Sequence, residues 1–146
     1  MASSDQAPGP TIPMHDLLDL RWQMPPRGEG WAEVAMPVAP PAFGPTGALH
    51  GGAIATMVDL ACAVAAVSNS EWDGERHTLV TTDMHVRYLG SPRTDTVVAR
   101  AEVVRAGSQL IVLECKVRDD GGHLIAAADF SMMLVPRRGP AASGDE

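Results

Sequence analysis

One run of apolar residues stands apart from the rest of the chain. Residues 52–68, GAIATMVDLACAVAAVS, are apolar on nearly every side and interrupted by a single charge, Asp59. Ala, Leu, Met and Val favour helix, and at ~1.5 Å per residue the run predicts a helix roughly 25 Å long. With no polar face, such a helix has to be wrapped by other elements. Seventeen residues with an Asp among them are short and polar for a membrane span, so the run reads as the central helix of a globular domain.

After the helix the pattern changes to that of strands. Four strand-like runs follow at 78–89, 96–105, 109–118 and 123–135. The separators Gly90-Ser91-Pro92, Ala106-Gly107-Ser108 and Asp119-Asp120-Gly121-Gly122 are each short enough for a hairpin, which predicts an antiparallel meander. In the third run Glu114, Lys116 and Arg118 alternate with Leu113, Cys115 and Val117, so one face is wet and the other buried. Upstream, residues 31–38 predict another strand, with Pro37 marking an edge or a departure from the ladder. Residues 15–23 predict a short helix stopped by Pro25 and Pro26. The central helix is the long apolar element available to cover the sheet, giving an α+β domain with an antiparallel sheet curled around it.

Composition adds boundaries and exclusions. The Ser-, Pro- and Gly-rich ends predict flexible tails at 1–14 and 137–146 around one domain at 15–136. A net charge of −7 and 4% aromatic residues argue against a nucleic-acid or anionic-membrane surface. Cys62 and Cys115 form no CxxC motif and read as small core residues. The N-terminus has no basic region followed by an apolar run, so a cytoplasmic location is expected.

The candidate chemistry lies on the apolar run. A buried carboxylate is costly unless paired or hydrogen-bonded, so Asp59 has either a structural partner or a chemical role. Thr56 and Cys62 stand three residues to either side of it and form a stripe that would line a substrate cavity. At the start of the run, Gly51 and Gly52 leave backbone N–H groups free at the first turn, where the helix dipole favours an oxyanion. Asp59 is some 10 Å or more along the same helix, too far for both to meet one carbonyl. A two-fold dimer with antiparallel central helices sets Asp59 of one copy beside the Gly51 turn of the other.

Several ordered features carry a resemblance. They are His50-Gly51-Gly52 opening the helix, Asp59 within it, Val80-Thr81-Thr82-Asp83 in the next strand, Tyr88-Leu89 with Pro92 at its end, and Asp120-Gly121 before Leu124-Ile125-Ala126. Across residues 31–135 the chain resembles the hotdog-fold acyl-CoA thioesterases, in particular the phenylacetic-acid-degradation type. The resemblance implies a homodimer, or a dimer of dimers, with active sites between facing helices. It makes Asp59 the general base or nucleophile toward a thioester, Gly51 the oxyanion donor, Thr81 a hydroxyl that orients water, and His50 a residue that shapes the turn and touches the thioester. Gly52, Thr56, Cys62, Thr82 and Arg105 are the expected substrate contacts. The substrate would be an acyl-CoA or acyl-carrier-protein thioester, with no cofactor, nucleic acid or membrane partner.

Two positions depart from the family pattern. Gly44 stands where many relatives have Asn or Gln, and Ser108 follows Gly107 where relatives often carry a basic residue that meets the CoA phosphates. Arg105, Arg87, Arg93, Arg137 and Arg138 are the cations that would compensate. Asp83 and His85 lack a third ligand, so no metal is expected. Met57, Met84, Met132 and Met133 are equally suited to an acyl pocket and to simple core filling. Two further readings are a hotdog dehydratase or hydratase using His50, and a non-catalytic acyl-thioester binding protein.

Overall fold

The computed structural model describes residues 12–139. The apolar run forms helix α2, Gly51–Ser68, and lies across a six-stranded sheet that is antiparallel throughout. This is the α+β hotdog arrangement expected from the sequence. Ahead of α2 come helix α1, Pro13–Leu17, and strands β1, Arg21–Gln23, and β2, Trp31–Pro37; after it come β3, His77–Tyr88, β4, Thr96–Ala106, β5, Leu110–Asp119, and β6, Leu124–Pro136.

Burial along α2 shows which part of the wrapping one chain supplies. Ala53, Ile54, Met57, Val58, Ala61, Cys62, Ala65 and Ala66 are buried against the sheet, meeting Val34, Met36, Ala99, Leu113 and Val117 in one continuous core. Each fully buried Val, Met or Leu contributes about 1.5–3 kcal/mol relative to exposure. The opposite face, which includes Ala55, Thr56, Asp59, Leu60, Ala63 and Val67, is only half-buried. By length and composition α2 falls within the range of a membrane span, yet half of it is packed inside the domain.

Strand order corrects the expected meander. The order is β1-β2-β4-β5-β6-β3, so the last three strands run as hairpins, but β3 pairs with β6 instead of β4. Gly90-Ser91-Pro92 therefore belongs to a crossing connection. The end of β3 stays bound to β6 through Leu89 and Gly90 N–H groups on the Ile125 carbonyl, at 2.8 and 3.2 Å. The chain then passes over the end of the β5–β6 hairpin, where the carboxylate of buried Asp119 accepts from the N–H groups of Arg93, Gly121 and His123 at 2.8, 3.0 and 2.9 Å. Three strand spacings are about 14 Å, well within the reach of the intervening residues 89–95.

The N-terminal segment also differs from expectation. Pro13 opens a helix of five residues, Asp19 adopts a positive φ of 51° that ends it, and residues 21–23 extend to pair with β2. A helix to residue 23 would have forgone that ladder. β2 is accordingly flanked by β1 and β4, and Pro37 sits at its last pair, opposite Thr96, where the ladder ends. Of the segment assigned by composition to the N-terminal tail, Ile12 is the N-cap of α1 and Pro13 and Met14 form its first turn; residues 1–11 and 140–146 lie outside the described part of the chain.

Candidate active site

The start of α2 is built by a histidine cap. His50 is the N-cap residue in extended conformation, and its Nδ1 accepts the Gly52 N–H at 2.8 Å, while its carbonyl takes the N–H groups of Ala53 and Ile54. A Cβ at Gly52 would lie 2.9 Å from that Nδ1, so a side chain there would displace the cap. Of the first-turn donors, the Gly51 N–H has no partner among the described residues. Because Nδ1 is an acceptor, neutral His50 carries its proton on Nε2 and has no free lone pair for a base role.

Tyr88 closes this turn from the end of β3. Its hydroxyl donates to the Gly51 carbonyl at 3.0 Å, and its ring lies 3.3 to 3.4 Å from where a Gly51 Cβ would stand. The family pattern includes Tyr88 without implying a role for it. The sign available in the sequence is the apolar phase of Met84, Val86 and Tyr88, which puts the ring on the helix side of the strand.

Asp59 lies two turns further along, on the half-buried face. Thr81 of β3 donates its hydroxyl to one Asp59 carboxylate oxygen at 2.9 Å. The hydroxyl keeps lone pairs for a water, and the second carboxylate oxygen has no protein partner among the described residues. Eight residues of helix separate Asp59 from Gly51, about 12 Å of rise, so one chain presents the carboxylate and the amide as two separate half-sites.

Residues 46–126 match the family model described as the thioesterase superfamily. The chain belongs to that superfamily. The "Putative esterase" of Haemophilus influenzae is 29% identical over 108 residues, 74% of this chain and 76% of that protein. A thioesterase family protein from Silicibacter pomeroyi is 26% identical with TM-score 0.74, over 86% of this chain and 91% of that one. A Bacillus halodurans protein crystallised with CoA is 26% identical with TM-score 0.75, over 88% of this chain and 82% of that one. Thioester hydrolysis is therefore the reaction class into which the site has to fit.

Not every expected contact reaches the candidate site. Thr56 shares the Asp59 face, but its hydroxyl is turned back onto the Gly52 carbonyl at 2.8 Å. Cys62 lies in the core instead of the stripe: at ~100° per residue, steps of three drift by 60°, which carries position 62 onto the sheet side. A hydrogen bond with Cys115, followed by burial, pushes its thiol pKa up, so it stays a neutral core group. Thr82 is the extra residue of a β-bulge and bonds Ser131 on the outer face of the sheet, away from Asp59. Arg105 likewise follows a bulge that turns it to the outer face beside Val112.

The remaining candidates sort by depth. Met57 and Met132 are core residues, Met133 is half-buried on the outer face, and Met84 is exposed on the helix side of β3. Asp83 and His85 point to the outer face. Gly44 packs beside His50, and a Cβ there would meet nothing nearer than 3.6 Å, so a larger residue is sterically admissible.

Proposed function

We propose that the chain hydrolyses a small, medium-chain or aryl acyl-CoA to the free acid and CoA, as a homodimer whose two active sites each draw on both subunits. Asp59, on the half-buried face of an otherwise apolar helix with a hydroxyl on one oxygen and no protein partner on the other among the described residues, carries the reading. Asp59 takes a proton from a water that Thr81 holds, and the water oxygen attacks the thioester carbonyl carbon. The developing oxyanion is met by the unpaired N–H of Gly51 of the partner subunit and by the dipole of that helix. Collapse expels the CoA thiolate, which departs with little acid assistance because thiol pKa values lie near ~8.5. In this reading the Nε2–H of His50, left without a role by the Nδ1 cap, donates to the thioester.

Two features support the dimer. β3 is an unpaired sheet edge of 12 residues, with Val80 at 46%, Met84 at 38% and Tyr88 at 53% exposure. Such an edge needs either cover or a partner strand. The half-buried face of α2 adjoins it, so a second copy on this side would complete both the core and the site. The engagement of His50 Nδ1 by the Gly52 N–H, which leaves the ring no free lone pair, favours hydrolysis over a dehydratase using that histidine as base.

The test is free-thiol release from acetyl-, octanoyl-, palmitoyl- and phenylacetyl-CoA and from acyl-carrier protein, beside Asp59→Ala. Turnover lost in the variant supports the reading and identifies the acyl group. Turnover retained by Asp59→Ala, or an unreactive panel with folded protein, contradicts it.

A further inference from the structure

We propose that Thr82 and Ser131 form a hydroxyl clamp that holds a one-residue bulge in β3, and that this bulge positions both halves of the active site. The inference rests on the assignment of Asp59 and Gly51 made above. Thr81 pairs with Met132 and Asp83 with Ser131, so Thr82 has no partner of its own in the β6 ladder. Its hydroxyl and that of Ser131 lie 2.8 Å apart and share a hydrogen bond.

The extra residue changes which side chains face the helix. Paired residues share a face, and along β6 the buried positions are Ala126, Ala128, Phe130 and Met132. On β3, Leu79 and Thr81 therefore face α2 before the bulge, and Met84, Val86 and Tyr88 face it afterwards. In an unbroken strand, period-2 alternation would turn Asp83, His85 and Arg87 inward and Tyr88 outward. The bulge thus lets one strand place the Thr81 hydroxyl on Asp59 and the Tyr88 hydroxyl on Gly51, while three ionisable side chains stay off the apolar helix. Bulges re-aim side chains in this way beside active sites. Thr82 and Ser131 touch no reacting group and act through Thr81 and Tyr88.

The experiment compares Thr82→Val, Ser131→Ala, Thr82→Ser and the Thr82→Val/Ser131→Ala pair in the full chain, with Asp59→Ala alongside. Thr82→Val and Ser131→Ala should each lower kcat about tenfold while KM changes less than about twofold. Thr82→Ser should recover most of that loss, and the double variant should be no worse than the poorer single variant, since both remove one bond. Unchanged kcat in both single variants, or losses that merely follow the melting temperature, would overturn the clamp. If Asp59→Ala retains turnover, the catalytic assignment fails separately. Crystal structures of Ser131→Ala and Thr82→Val then decide the clamp: a Thr81–Asp59 bond still at 2.9 Å in both refutes it, and one lengthened beyond about 3.5 Å supports it.

Discussion

Thr81 on the edge strand donates a 2.9 Å hydrogen bond to Asp59 on the central helix. This contact joins the helix to β3, the longer of the two edge strands of the sheet. It leaves the carboxylate one oxygen for proton transfer and sets a hydroxyl beside it to hold water. Asp59→Asn keeps the shape and removes the base, and should lower kcat by about 10²- to 10⁴-fold with an unchanged melting temperature. Thr81→Val should lower kcat roughly 10- to 100-fold, the worth of a hydrogen bond to a charged group. Steady-state kinetics with thermal melts check both.

Tyr88→Phe removes the donor on the Gly51 carbonyl and keeps the ring over the turn. The first turn of α2 then keeps the His50 cap and the Thr56 hydroxyl on the Gly52 carbonyl but loses the side-chain restraint at Gly51 itself. A fall in kcat of about fivefold with little change in KM is expected, from a net hydrogen-bond worth of about 1 kcal/mol. Equal kcat for Tyr88→Phe and the parent would remove Tyr88 from the account.

Asp119 provides a pH prediction that concerns the fold instead of the chemistry. The Arg93 N–H, followed by those of His123 and Gly121 against an opposing burial effect, holds its carboxyl below the usual carboxylate range. A carboxylate with a lowered folded pKa stabilises above its unfolded value of about 3.9, and that contribution is lost as pH falls through the folded value. Melting followed from pH 6 down to 2.5 should show a loss beginning near pH 4. Asp119→Asn should melt lower at neutral pH and show a shallower acid slope; a parallel pair of curves would contradict this.

The parts of the molecule legible in the sequence are those encoded locally. The run at 52–68 reads as a helix packed on the sheet, and Glu114 to Arg118 alternate with core residues as the structure confirms. Strand order was not legible, because β3 beside β6 and β3 beside β4 present the same alternation, and the difference lies in how residues 89–95 are tethered to Ile125 and Asp119. At the site, Asp59 and the Gly51 turn stood out as polar features on an apolar helix. Cys62 was misplaced by treating a spacing of three as one face. The bulge leaves a partial trace in the sequence: Met84, Val86 and Tyr88 share an even phase opposite to Leu79, but Val80 is also apolar and blurs the change.

The central claim is that each active site takes Asp59 from one chain and the Gly51 amide from another, and subunit mixing tests it most directly. Asp59→Ala removes the base, and Gly51→Pro removes the amide hydrogen at the first helical position, where proline is tolerated. Each variant alone should be inactive. When the two are unfolded and refolded together in equal amounts, half the dimers are hybrids, each with one site that keeps both groups. The mixture should therefore recover roughly a quarter of the parent activity. Activity that stays at the level of the separate variants, in a mixture shown to contain hybrids, would contradict the shared site.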